Sequence, residues 1–260
     1  MLCTAEAARP RLVILQPSHF CEKARWALHR YGIEVDVDVQ APGFHSLVSK
    51  GKGSTPCLIF PDGDFKDDST IILHWIDEQT KPHVPKLFPE DCAEEVAAEC
   101  ARLDSGLGPD SRSIIYAHAL DSVAIRRSLT SGVPLWQAVL LDYFGAWYAI
   151  KGVMRDRMKI SLENGEKAME RVREEFQRIG KLLEDGREFL LGNKFTAADL
   201  TFAALSLPVL GVAYGDAPPF ANPDEKPPAL KDISLELRAT AAGAFALRIW
   251  EQHRHTVLQF

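Results

Sequence analysis

The sequence predicts a mixed α+β segment over residues 1–80, a connector over 81–91 and an all-helical remainder over 92–260. Three observations predict it. Short apolar runs alternate with helix-patterned stretches up to residue 80. Pro82, Pro85 and Pro89 then crowd into a short polar stretch, read as an exposed connector. Beyond it apolar positions recur at helical spacing, broken only by Gly- and Pro-containing turns.

Residues 12–16 are an apolar strand. Phe20, Ala24, Ala27, Leu28 and Tyr31 then share one helical face, and Gly32 ends that helix. Residues 34–39 alternate acidic residues with valine, the pattern of a half-buried strand. After an irregular Gly- and Ser-containing stretch, residues 57–60 form another apolar strand, Asp62-Gly63 is a hairpin signal, and Phe65 begins the partner strand. Ser69, Ile71, Ile72, Leu73, Trp75 and Ile76 give the next helix a broad apolar surface, as burial on more than one side requires. The order is β-α-β-irregular-β-β-α.

In the second half, helices are expected over 93–102, 136–158, 163–184, 197–207 and 235–252, with turns near 106–109 and 132–134 and a Pro-rich loop over 217–228. The charges of 163–184 read as a solvated face, and His253 and His255 as solvent-facing. One helix start is sharply marked: Thr196 is the N-cap, Asp199 stands at N3 in a capping-box role, and Phe195 and Leu200 are placed as a hydrophobic staple.

The 260 residues carry a normal apolar fraction and a net charge of −6, which argues against broad electrostatic binding of nucleic acid or an anionic membrane. No apolar stretch approaches the ~20 residues of a membrane helix, and residues 1–10 lack the apolar segment of a secretory signal, so a cytoplasmic protein is expected. Cys3, Cys21, Cys57, Cys92 and Cys100 are odd in number and show no Cys-x-x-Cys spacing, which implies neither a metal site nor a disulfide framework.

The run Pro17-Ser18-His19-Phe20-Cys21 closes the first strand and opens the first helix, so a hydroxyl and a thiol face a helix N-terminus. Unpaired N–H groups and the positive pole of the macrodipole stabilise an anion there. Taken alone, Ser18 reads as a helix-capping serine and Cys21 as a small buried packing residue. A hydrolase reading of Ser18 with His19 fails, because adjacent side chains cannot align as nucleophile and base and no Gly-x-Ser-x-Gly elbow is present. Gly51-Lys52-Gly53-Ser54 lacks the spacing of a phosphate loop.

Three stretches, Pro17 to Arg25, Ser54-Thr55-Pro56-Cys57-Leu58 with Asp68-Ser69 behind it, and the helix capped by Thr196, together resemble the cytosolic glutathione transferase superfamily. The resemblance implies a thioredoxin-like N-terminal domain (β-α-β-α-β-β-α) that binds glutathione, followed by an all-α domain that forms the acceptor-substrate pocket. In that family the residue seven before the first-helix arginine is the catalytic Ser or Cys, and counting back from Arg25 gives Ser18. The chain thus looks like a serine-type enzyme of the theta, zeta, phi and tau grouping, and the tyrosine-type classes fit poorly because no Tyr precedes Tyr31. The resemblance further implies a cis Thr55-Pro56 bond, with Thr55 pairing its backbone with the cysteinyl unit, Ser69 holding the γ-glutamyl carboxylate and Asp68 its ammonium. A homodimer, a detoxification role and a small electrophilic co-substrate are the family expectations, with no metal.

Some positions depart from the pattern. His19 replaces the proline that often follows the catalytic residue, and Ser54 stands where many relatives carry a basic residue, a loss for which Lys52 compensates. The helical half is longer than usual over 120–159 and after Gly215, so pocket residues are not carried over. Tyr116, Trp136, Tyr143 and Trp147 are the candidate pocket aromatics, with plain core as the competing reading.

The chemistry is direct. A thiol with an ordinary value near ~8.5 is mostly protonated at neutral pH, and only its thiolate attacks an electrophile. Lowering that value by about two units takes roughly 2.7 kcal/mol. A charge-assisted hydrogen bond from Ser18 supplies ~1.5 to 3 kcal/mol and the helix pole ~0.3 to 1. Two alternatives stay open: a non-catalytic protein that binds glutathione and hydrophobic ligands, and a glutathione-dependent peroxidase or thiol transferase that uses Cys21.

Overall fold

A computed structural model of the chain describes residues 8–220 and 225–258. Cys3 and the middle of the Pro-rich loop lie outside them. The first half runs β1 (Arg11–Ile14), α1 (His19–Arg30), β2 (Asp36–Val39), α2 (His45–Val48), β3 (Cys57–Ile59), β4 (Phe65–Lys66) and α3 (Ser69–Gln79). The sheet order is β2-β1-β3-β4, with β1 parallel to β2 and antiparallel to β3, and β3 antiparallel to β4. This is the thioredoxin-like arrangement that the resemblance implies. The stretch expected to be irregular carries α2, a single helical turn.

Period-two alternation sorts β1 onto two cores. Leu12 and Ile14 join the main core with Trp26, Ala27 and Ile72, whereas Val13 faces the other way with Cys57 and Ile59. The main core covers α1 on several sides, so even Lys23 and Glu22 are buried there.

The second half comprises α4 (Ala93–Ser105), α5 (Leu107–Ala119), α6 (Val123–Thr130), α7 (Leu135–Tyr143), α8 (Ala146–Arg157), α9 (Leu162–Leu182), α10 (Ala197–Leu210), α11 (Pro228–Arg238) and α12 (Ala241–His253). The marked start of α10 forms its capping box, with the Asp199 carboxylate accepting the Thr196 N–H at 2.8 Å. α10 is buried nearly all round, and each fully buried Phe or Leu such as Phe202 and Leu205 contributes about 1.5–3 kcal/mol.

Several expected elements divide differently. The helix read over 136–158 breaks at Gly145, whose φ of +68° starts α8 afresh. The helix read over 235–252 becomes α11 and α12 because Thr240 caps the second, its Oγ1 accepting the Gly243 N–H at 3.0 Å. The turn near 106–109 shrinks to Gly106, and Pro109 sits in the first turn of α5, where a missing N–H costs nothing.

The proline-rich connector is not simply exposed. Val84, Leu87 and Phe88 are buried, and the Asp77 carboxylate accepts the N–H groups of Leu87 and Phe88 at 2.8 and 2.6 Å. Leu87 O in turn accepts the Ala197 N–H at 2.8 Å, which ties the connector to the start of α10. The charged face of α9 is not merely solvated either: Arg171 pairs with Asp110 of α5 and Arg173 with Glu236 of α11. Nor does His253 simply face solvent, since its ring stacks on Phe195 and its carbonyl accepts Trp26 Nε1–H at 3.0 Å. Among the described residues no helix is long and apolar enough to cross a membrane.

Candidate functional site

The turn between β1 and α1 opens onto a cavity of about 600 Å³ between the two halves. Ser18 lines it and caps α1, its Oγ accepting the Cys21 N–H at 3.3 Å. In that bond the hydroxyl acts as acceptor through one lone pair. The turn is held from the helical half: Tyr214 donates its hydroxyl to Pro17 O at 2.8 Å and Gln16 Nε2 donates to the Asp216 carboxylate at 3.4 Å, while Arg25 within α1 pairs with the same carboxylate at 3.0 Å.

His19 is turned away from any catalytic role beside Ser18. It is buried and its Nε2 lies 2.9 Å from Gly108 O, which makes that nitrogen the protonated one. Burial first, and then the Arg112 guanidinium, push its imidazole down to about 3, so it is neutral.

Thr55 and Lys52 line the same cavity, and the Thr55-Pro56 bond is cis. The Lys52 N–H donates to the Asp67 carboxylate at 2.9 Å, and Ser54 Oγ donates to Asp67 O at 3.3 Å, which fixes this loop. Pro56, Asp68, Ser69 and Cys21 do not line the cavity. Asp68 caps α3, accepting the Thr70 N–H at 2.7 Å, and Ser69 behind it is 2 % exposed. Cys21 is 1 % exposed, and burial pushes its thiol up, against smaller opposing contributions from Ser18 and Thr55. The low thiol value that an exposed Cys21 would have at this helix end is therefore not found.

Of the four aromatic candidates, Tyr116 alone lines the cavity. Trp147 is core, Tyr143 is 84 % exposed, and Trp136 is exposed and packs edge-on against Phe44. Sequence reading missed Phe20, Arg112, Tyr214 and Phe220, which also line the cavity. For Arg112 a signal was present, since it lies one helical turn before Tyr116.

Comparison with known proteins fits this architecture. A family model described as the N-terminal domain of glutathione S-transferase matches residues 17–79, and one described as its C-terminal domain matches residues 153–233, together more than half of the chain. The chain belongs to the cytosolic glutathione transferase superfamily. No curated protein matches it.

Among solved structures it is similar to the glutathione transferase GSTFuA2 of Phanerochaete chrysosporium, with a TM-score of 0.61, 16% identity and coverage of 95% of this chain and 99% of that one. It is also similar to CsGST63524 of Ceriporiopsis subvermispora, a glutathione S-transferase in complex with glutathione, at TM-score 0.60, 18% identity and 96% and 99% coverage. The beta-etherase LigF of a Sphingobium species follows at TM-score 0.57, 17% identity and 92% and 98% coverage. At these identities the likeness shows the fold.

Proposed function

We propose that the protein is a serine-type glutathione transferase that holds the glutathione thiol as thiolate beside Ser18 for attack on small hydrophobic electrophiles. The observation that carries this reading is the Ser18 hydroxyl, which lines the cavity at the N-terminus of α1. Family membership supplies glutathione as the thiol. In the step itself the thiol proton passes to solvent, the sulfur forms a bond to the electrophilic carbon, and the bond from that carbon to its leaving group breaks, the leaving group taking the electron pair.

Thr55 and Lys52, on the same wall, serve the cysteinyl and glycyl parts of the tripeptide. Asp68 and Ser69, at the start of α3, serve its γ-glutamyl end. Residues 1–80 thus bind glutathione and residues 92–260 the acceptor, in a cytoplasmic homodimer whose assembly light scattering reads directly. Thiol transfer through Cys21 is not adopted, because its sulfur is buried and its thiol is pushed up rather than down.

Ultraviolet difference spectroscopy of the glutathione complex across pH tests the reading. The bound thiol is expected to ionise about two units below free glutathione, a preference of roughly 2.7 kcal/mol. A bound thiol that titrates like the free one, or calorimetry that finds no glutathione binding, removes the proposal.

A further inference from the structure

The helical wall of the cavity has a charge pattern that thiolate chemistry leaves unused. Its basic residues include Arg112 on α5, Arg157 at the end of α8 and Lys226 before α11, and among the described residues none that lines the cavity is Asp or Glu. Lys226 Nζ is engaged by Ser234 Oγ at 2.6 Å. Arg112 is half-buried and has no hydrogen-bond or ion-pair partner among the described residues. Its neighbours in this half differ: Arg126 pairs with Asp142, Arg155 with Asp121, and Arg171 with Asp110.

Arg112, Ile115 and Tyr116 stand at i, i+3 and i+4 of α5 and all line the cavity. The Tyr116 hydroxyl also lacks a hydrogen-bond partner among the described residues, so two donors flank an apolar surface. A guanidinium does not lose its proton, and a charge set in an apolar wall is stabilised by a counter-charge. Its planar fork matches a carboxylate or sulfonate in bidentate geometry. Lys52 sits on the opposite half, in the loop before β3, so the two cations serve different groups.

We propose that the helical wall selects an apolar ligand bearing one oxyanion, a carboxylate or a sulfonate, held by Arg112 with Tyr116 donating to the same group. That this ligand is the acceptor electrophile rests on the glutathione-transfer reading.

Fluorescence titration of the intact protein with anilinonaphthalene sulfonate, and with phenylnaphthylamine, the same chromophore lacking the sulfonate, tests the site without glutathione. Arg112→Gln is expected to weaken the sulfonate about tenfold or more and to leave the amine within about twofold, and Arg112→Lys to retain part of the loss. Retained amine binding shows that the cavity is intact. Equal weakening of both dyes, or of neither, overturns the proposal, as does calorimetry in which Arg112→Gln abolishes glutathione binding, which assigns Arg112 to the tripeptide.

Conjugation of glutathione to a chloronitrobenzoate and to its methyl ester, with chloride leaving, separates the two readings. Wild type is expected to prefer the free carboxylate and Arg112→Gln to lose that preference. If neither compound reacts while the dyes still discriminate, the transfer reading falls and the oxyanion site stands. If wild type and variant treat the two compounds alike, the oxyanion site falls and the transfer reading stands.

Discussion

Lys23 Nζ on α1 lies 2.8 Å from both carboxylate oxygens of Asp104 on α4. It also donates to Thr70 Oγ1 on α3 at 2.6 Å, and that hydroxyl donates to Asp104 at 2.6 Å. Three helices from both halves thus meet at one closed triad, with the lysine side chain fully buried.

Removing one charge from this triad leaves the other unpaired where the two halves meet, and for Lys23 that means a fully buried charge. Asp104→Ala is expected to cost about 3–5 kcal/mol in a urea titration, whereas Lys23→Met combined with Asp104→Leu should cost far less, because both desolvation penalties go together. A single Asp104→Ala variant as stable as wild type would show that the pair contributes nothing.

If Ser18 holds the thiolate as proposed, Ser18→Ala removes a hydrogen bond of about 1.5–3 kcal/mol, so kcat/KM for conjugation should fall on the order of ten- to hundredfold, with the thiol titration moving up in parallel. Cys21→Ser is expected to leave conjugation and thiol transfer near wild type, since its sulfur is buried off the cavity wall. Loss of both activities in the cysteine variant alone reverses the assignment.

His19 makes a pH prediction of definite sign. Its imidazole ionises at about 3 in the folded chain against an ordinary 6.5, so the unfolded chain binds the extra proton between those values. The neutral ring's contribution is complete above pH 6.5 and is lost as pH falls towards 3, by up to about 1.4 kcal/mol per pH unit. Asp199, pushed up to about 6 by burial, acts in the opposite direction: its contribution is present below its ordinary 3.8 and lost as pH rises to about 6. Subtracting the stability of His19→Gln from that of wild type at each pH isolates the histidine. The difference should shrink steadily on acidification, and a difference flat from pH 6.5 to 4 would contradict it.

Gly108 is where α5 comes close to the site turn. A Cβ there would lie 2.3 Å from Phe20 Cζ, too near for any contact, so Gly108→Ala must move the Phe20 ring that lines the cavity. We expect a loss of about 1–3 kcal/mol in thermal or urea unfolding and a raised KM for the acceptor. Adding Phe20→Leu should recover part of the stability, and no recovery would place the clash elsewhere.

Local signals were legible in the sequence and non-local ones were not. The Ser18 cap, the Asp62-Gly63 hairpin and the Thr196–Asp199 box each depend on residues within a few positions, and the structure forms all three. The cavity wall draws Arg112, Tyr116, Tyr214 and Phe220 from distant segments, so no window along the chain shows them together. Prolines at 82, 85 and 89 suggested exposure, while the interleaved Val84, Leu87 and Phe88 held the contrary signal. Gly145 and Thr240 were visible break points, but uninterrupted apolar spacing outweighed them.

Because Tyr214 and Asp216 clasp the turn that bears Ser18 at Pro17 and Gln16, the two halves are not interchangeable modules. A chimera that borrows a foreign helical half inherits its chemistry only if that donor brings an equivalent phenol and carboxylate. Without them the turn that bears Ser18 is left unfastened, however faithfully the sheet beneath it is preserved.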